Sequence, residues 1–245
     1  MKPDTRILAE LGLGPRWVRR GAVAAEGCET PALDARGDPA EAQAAPTDHD
    51  RAEIVRRMDW PALERAVAVC DACGLARGRI QAVLGVGDRN AEWMFIGEAP
   101  GAEEDQRGEP FVGQAGRLLD NMLAAIDLRR GENVYIANIV KCRPPGNRNP
   151  EPDEAGACLP FLRRQIELIR PRLLIALGKV AATNLLGGDA SIASLRGKVH
   201  SYAGTPMVVT YHPAYLLRNL PDKAKSWEDL CLARDTMASL PPRPD

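Results

Sequence analysis

Four short apolar runs, each followed by a stretch of helical character, constrain this chain more than any other feature. They occupy residues 93–96, 134–140, 173–178 and 207–211. Runs of that length without polar alternation suit strands buried on both faces. After the first of them, Leu118, Leu119, Met122 and Leu123 recur at helical spacing. After the second, Cys158, Phe161, Leu162, Ile166 and Ile169 do the same. Residues 179–186 and 225–239 read as further helices. Strands alternating with helices over short links form a parallel sheet covered on both faces. The expected fold is therefore α/β, three layers (α/β/α) around a central, mainly parallel four-stranded sheet, with no internal repeat.

The chain holds more than that sheet needs. Residues 1–20 could form a short amphipathic helix. Residues 21–50 are rich in Ala, Pro, Gly, Asp and Glu without sustained periodicity, so residues 1–50 are expected to be a flexible extension and 51–245 the globular domain. Asp59 can cap a helix with Pro61 in its first turn, running to about Val69. The net charge of −1 does not announce nucleic acid. Divided at residue 50, the extension carries six Lys/Arg against nine Asp/Glu, leaving 26 against 24, or +2, for the rest. A binding face needs only a local patch, so the totals exclude little. No basic-then-apolar leader or membrane-length apolar run is present, which predicts a cytoplasmic protein. In that reducing setting the six cysteines are expected to bind metal, react or pack, not to form disulfides.

Chemistry concentrates after the first two strands. Residues 97–116, GEAPGAEEDQRGEPFVGQAG, place a carboxylate, Glu98, at the carboxyl end of a strand, in a Gly/Pro-rich loop carrying one aromatic ring, Phe111. In open α/β sheets that edge is where ligands bind. Residues 134–140 run directly into KCRPPGNRNP at 141–150. Cys70 and Cys73 form a C-x2-C pair, with Cys142 and Cys158 far downstream. Thiolates so arranged suit zinc or an iron–sulfur cluster, and spacing does not decide between them. Four unconnected core cysteines are the plainer alternative. Cys28 and Cys231 lie outside the pattern, and Cys231 reads as a packing residue.

The stretch 97–116 resembles the first motif of the family 4 (UDGa-type) uracil-DNA glycosylases. The order C-x2-C, first motif, NIVKCRPPGNRNP, a fourth Cys and then YHPAYLLR at 211–218 is similar to that family over about residues 60–240. The resemblance implies an enzyme that flips uracil out of DNA and hydrolyses its N-glycosidic bond, leaving an abasic site. It also implies a [4Fe–4S] cluster held by Cys70, Cys73, Cys142 and Cys158. The expected partner is uracil-containing DNA, double- or single-stranded, met by a monomer.

Extruding a base costs a few kcal/mol, and the extruded base must then be identified and released. Phe111, otherwise an ordinary core ring, would stack on it, with Gly97, Ala99 and Glu104 completing the base pocket. Asn138 ends an apolar strand. Its carboxamide can meet O4 and N3–H of uracil together, a pattern cytosine reverses, and the discrimination is worth roughly 1–3 kcal/mol by analogy with other bidentate base contacts. The resemblance assigns His212 a hydrogen bond to uracil O2, steadying the departing anion. Glu98 could stabilise charge developing on the sugar and orient water, with Asn147 as a water-positioning amide. Leu216 or Leu217 would wedge into the vacated stack and Arg218 meet phosphate; alternatively they are one turn of an amphipathic helix. Lys141, Arg143 and Arg148 could form the local basic patch.

A related branch of the superfamily holds uracil covalently through a His near the third cysteine. Residues 143–153 contain no His, Ala99 replaces the Gln typical of that branch, and His200 comes too late in the chain. Ordinary turnover is expected. A non-catalytic, cluster-bearing DNA-binding or polymerase-associated module is the rival of another class, but it would be expected to lack Glu98, Asn138 or His212.

Overall fold

A computed structural model describes residues 48–243. The chain enters through α1 (Asp48–Arg56) and α2 (Trp60–Ala68). Asp59 caps α2 by accepting the Ala62 N–H at 2.9 Å, and Pro61 lies in its first turn, as the sequence predicts. A 3-10 turn (Gly74–Arg77) leads to β1 (Val86–Gly87) and β2 (Trp93–Gly97). Then come α3 (Ala102–Arg107), α4 (Gln114–Ala124) and β3 (Val134–Asn138). α5 (Pro152–Ile169), β4 (Leu173–Leu177), α6 (Lys179–Leu186) and α7 (Ile192–Leu195) follow. The chain closes with β5 (Val199–Tyr202), β6 (Thr205–Thr210), α8 (Pro213–Leu216) and α9 (Asp222–Ser239).

Among the described residues the sheet has six strands, in the order β1-β3-β2-β4-β6-β5, not the four expected. The expected four are its parallel centre; β1 and β5 pair antiparallel on the two edges. Both additions escape an apolar-run criterion because edge strands are only partly covered. β1 is two residues long and β5 alternates exposed with half-buried positions. The predicted extension and its helix lie outside the described residues, apart from 48–50, which open α1 instead of continuing a linker.

Alternation along the central strands sorts the core into two layers. Met94, Ile96, Tyr135, Ala137, Leu174, Ala176, Met207 and Val209 pack with residues of α1, α2, α5 and α6. Trp93, Phe95, Val134, Ile136, Leu173, Ile175 and Val208 pack on the other face with α4 and α9. This period-two division is the three-layer α/β/α arrangement. Burying a side chain such as Phe95 or Leu173 contributes about 1.5–3 kcal/mol. The chain leaves β2 toward β3 but leaves β4 toward β6. These opposed departures open a crevice at the carboxyl ends of the strands.

Candidate active site

Glycines decide how closely the loops approach at that crevice. A Cβ on Gly97 would stand 2.5 Å from Asn138 Oδ1 and 2.6 Å from Phe111 Cζ. Gly178 adopts φ 91, and a Cβ there would stand 2.9 Å from His212 Cβ. The ends of β2, β3, β4 and β6 can therefore bring three functional side chains together. A cleft of about 420 Å³ results. Its lining includes Glu98, Ala99, Glu104, Phe111, Asn138, Asn147, Arg148, His212 and Arg218, all expected from sequence.

Residues 97–116, read from sequence as one loop, contain a helical turn. Glu104 in α3 accepts the Gly101 N–H at 3.0 Å with Oε2, and the Val112 and Gly113 N–H groups at 3.0 and 3.2 Å with Oε1. One carboxylate thus closes the start of α3 and gathers the chain around Phe111. Phe111 has φ 56 and is buried, and its ring centroid lies 5.4 Å from that of His212 at 33°.

Each polar group in the cleft has a distinct state. Asn138 is 2% exposed, yet its Oδ1 has no hydrogen-bond partner. Such an orphaned buried acceptor is costly unless a ligand satisfies it. His212 caps α8: Nδ1 accepts the Ala214 N–H at 3.2 Å, so the neutral ring carries its proton on Nε2. Burial, followed by the nearby Arg218 charge, lowers its pKa to about 4. Burial also raises the Glu98 carboxyl to about 7. Asn147, at φ 55, has its Oδ1 tied to Arg143 Nε at 2.7 Å. Asn147 lines the cleft, and its amide NH2 is the group through which it could donate to a water there.

Two DNA-contact assignments are corrected. Lys141 is fully buried: Nζ donates to Asn138 O at 2.9 Å and Gln165 Oε1 at 2.6 Å, and burial lowers its pKa to about 8. It braces the chain after β3 and cannot meet a phosphate. Leu216 is buried in the core beneath α8, whereas Leu217 is exposed. The amphipathic-turn alternative is right for Leu216, which leaves Leu217 as the exposed one of the two. Arg148 is partly committed to Glu154, bonding both its oxygens at 2.7 and 2.8 Å. Tyr215, stacked on Tyr211 at 5.1 Å and donating to Asp222 at 2.6 Å, joins the lining as a wall. Pro144 and Asn149 also line it. Their position in the 141–150 motif was the one signal for them.

Cys70, Cys73, Cys142 and Cys158 line a single enclosed pocket between α2, the loop after β3 and α5. Arg51 Nη2 lies 3.5 Å from Cys70 Sγ, Arg79 Nη1 3.0 Å from Cys142 Sγ, and the Lys141 backbone N–H 3.2 Å from Cys158 Sγ. Burial pushes the Cys158 thiol up to about 12 and raises Cys142 as well. Four thiols converging on one pocket, with N–H donors aimed at three of the sulfurs, are a donor set suited to a soft, positively charged centre. Among the described residues, no three His, Cys, Asp or Glu side chains form a group that would hold a single metal ion. Neither Arg51 nor Arg79 carried a sequence signal.

The fold and its crevice are those of a recognised class: the sequence pattern of the Uracil DNA glycosylase superfamily matches residues 84–231. The Type-4 uracil-DNA glycosylase of Thermotoga maritima is 47% identical over 155 residues, covering 62% of this chain and 80% of the relative. Those of Archaeoglobus fulgidus (45% over 161 residues; 62% and 80%) and Pyrobaculum aerophilum (42% over 183; 71% and 93%) are similarly close. The chain belongs to the type-4 family of that superfamily.

Proposed function

We propose that this protein excises uracil from DNA by hydrolysing its N-glycosidic bond, with the cleft after β2, β3 and β6 as the site of reaction. One observation carries the assignment of the cleft: Asn138 Oδ1, buried and unpartnered beside Phe111. Uracil N3–H supplies the missing donor, and Asn138 Nδ2 donates to O4. Cytosine offers an acceptor at N3 and a donor at N4, leaving both Asn138 groups opposed. Phe111 stacks on the flipped ring. His212 Nε2–H donates to O2 as negative charge grows on the leaving base. Because the imidazole is already neutral at physiological pH, it acts as a fixed donor, not as an acid.

Glu98 completes the arrangement. Its carboxyl titrates near 7, where a base is both substantially deprotonated and able to take a proton from water. The Asn147 amide donates to the same water and sets its orientation. Departure of the base leaves positive charge on the sugar, which the Glu98 carboxylate stabilises. Leu217 fills the vacated stack, and Arg218 and Arg148 meet phosphates of double- or single-stranded DNA, with the protein acting as a monomer.

Cys70, Cys73, Cys142 and Cys158 would hold a [4Fe–4S] cluster, whose chemistry when bound is structural cross-linking through iron–thiolate bonds. The chain's own part is to join α2 and α5 to the loop after β3, whose backbone Lys141 also ties to Asn138. This supports the cleft without entering the reaction.

Excision from an oligonucleotide carrying one uracil, by anaerobically purified protein beside an Asn138→Asp variant, tests the assignment. The wild type is expected to release uracil. The variant, with an acceptor facing O4, is expected to lose about 10²-fold or more. A folded, DNA-binding wild type that releases no base would refute the enzyme reading in favour of the non-catalytic module.

A further inference from the structure

The Phe111 turn is held by a group outside every motif. A non-glycine residue at φ 56 occupies a sparsely populated region and needs its surroundings to keep it there. The carbonyl of Phe111 turns into the start of α4, where a Cβ on Gly116 would stand 1.8 Å from its oxygen. Arg130, in the segment after α4, reaches this turn. Its Nη1 donates to Pro110 O at 2.9 Å and its Nη2 to Phe111 O at 2.8 Å. The Nε of the same guanidinium donates to Asp120 Oδ1 at 3.0 Å, on α4. One planar group therefore fixes two successive carbonyls against a helix, a geometry that a lysine ammonium cannot reproduce.

We propose that Arg130 is a positioning residue for base recognition: it locks the Pro110–Phe111 turn so that the Phe111 ring stays aligned with Asn138 and His212. The inference rests on Phe111 being the stacking platform. Without the clamp, the turn relaxes toward commoner backbone conformations and the ring leaves the plane that an extruded base must occupy. Arg130 touches neither base nor sugar. Its effect passes entirely through Phe111.

The test is the ratio of affinities for two duplexes, one carrying an uncleavable 2′-fluoro-2′-deoxyuridine and the other undamaged. Arg130→Met should reduce that preference about tenfold, with a matching fall in single-turnover excision. Its affinity for undamaged duplex should stay within about twofold, because a phosphate contact is not what is lost. Arg130→Lys should recover part of the preference. Asp120→Asn, at a half-exposed position that threatens folding little, should cost about two- to threefold. Phe111→Ala separates the two readings. If it abolishes the preference while Arg130→Met and Asp120→Asn leave it intact, the clamp is wrong and the platform stands. If Phe111→Ala also leaves it intact, the platform reading fails first. Equal weakening toward both duplexes in Arg130→Met would make Arg130 a phosphate contact and overturn the proposal.

Discussion

At the scale of single residues, burial sets the protonation states that the chemistry needs. Glu98 and His212 are shifted in opposite directions on the pH axis by the same cause, loss of water, because one is charged when deprotonated and the other when protonated. Excision should therefore rise with pH through about 7 as Glu98 ionises, while His212 stays neutral throughout that range. A pH–rate profile of Glu98→Gln should lack this limb and lie about 10²-fold or more lower. The same shift has a stability consequence. Below pH 4.5 Glu98 is protonated in both folded and unfolded chains, whereas above about 7 it must be ionised in a poorly solvated site. Glu98→Gln should thus be more stable than wild type at pH 8 by on the order of 1–2 kcal/mol, allowing for solvent at the mouth of the cleft. At pH 4 the two should unfold alike, and denaturant titrations at both pH values would show whether the gap opens in that direction.

At the scale of elements, the site depends on backbone approach. Gly97 ends β2 directly against Asn138 and Phe111. Gly97→Ala should displace both, reducing excision about 10²-fold while the two-layer core keeps the protein folded by circular dichroism. Gly116→Ala meets backbone, which cannot swing aside, so its cost should appear in stability, about 2–4 kcal/mol by denaturant titration. Arg218 and Arg148 divide differently. Arg218→Ala should weaken binding to all DNA and lower the salt slope by about 1. Arg148→Ala should also loosen the start of α5, where Glu154 bonds both Arg148 and the Glu151 N–H.

At the scale of the whole molecule, four cysteines from three separated segments converge on one pocket, so a cluster bound there would join parts of the chain that the sheet does not join directly. Anaerobic protein should carry iron and a brown chromophore. Cys142→Ser should lose both and melt at least about 5 °C lower. Zinc in place of iron, with a colourless protein, would reassign the pocket without disturbing the cleft. Much of this architecture was legible beforehand: the four central strands, the cap at Asp59, the span of α6 and the residues Glu98, Phe111, Asn138 and His212. The edges β1 and β5 were not, because a half-covered strand has no apolar run. Lys141 and Leu216 sat in the right motifs, but a motif does not say which way a side chain turns.

Sequence by itself determined the layered α/β plan, the family and the segments that line the cleft, because apolar periodicity and motif order are local properties of the chain. Only the tertiary structure decided that Lys141, expected in a basic patch, is buried and braces the chain after β3. Likewise it alone showed that Asn138 keeps an unpartnered acceptor, that Asn147 Oδ1 is tied to Arg143, and that Arg130 reaches back nineteen residues to hold Phe111. Those outcomes depend on which donors and acceptors are enclosed together, and enclosure exists only once distant segments have packed.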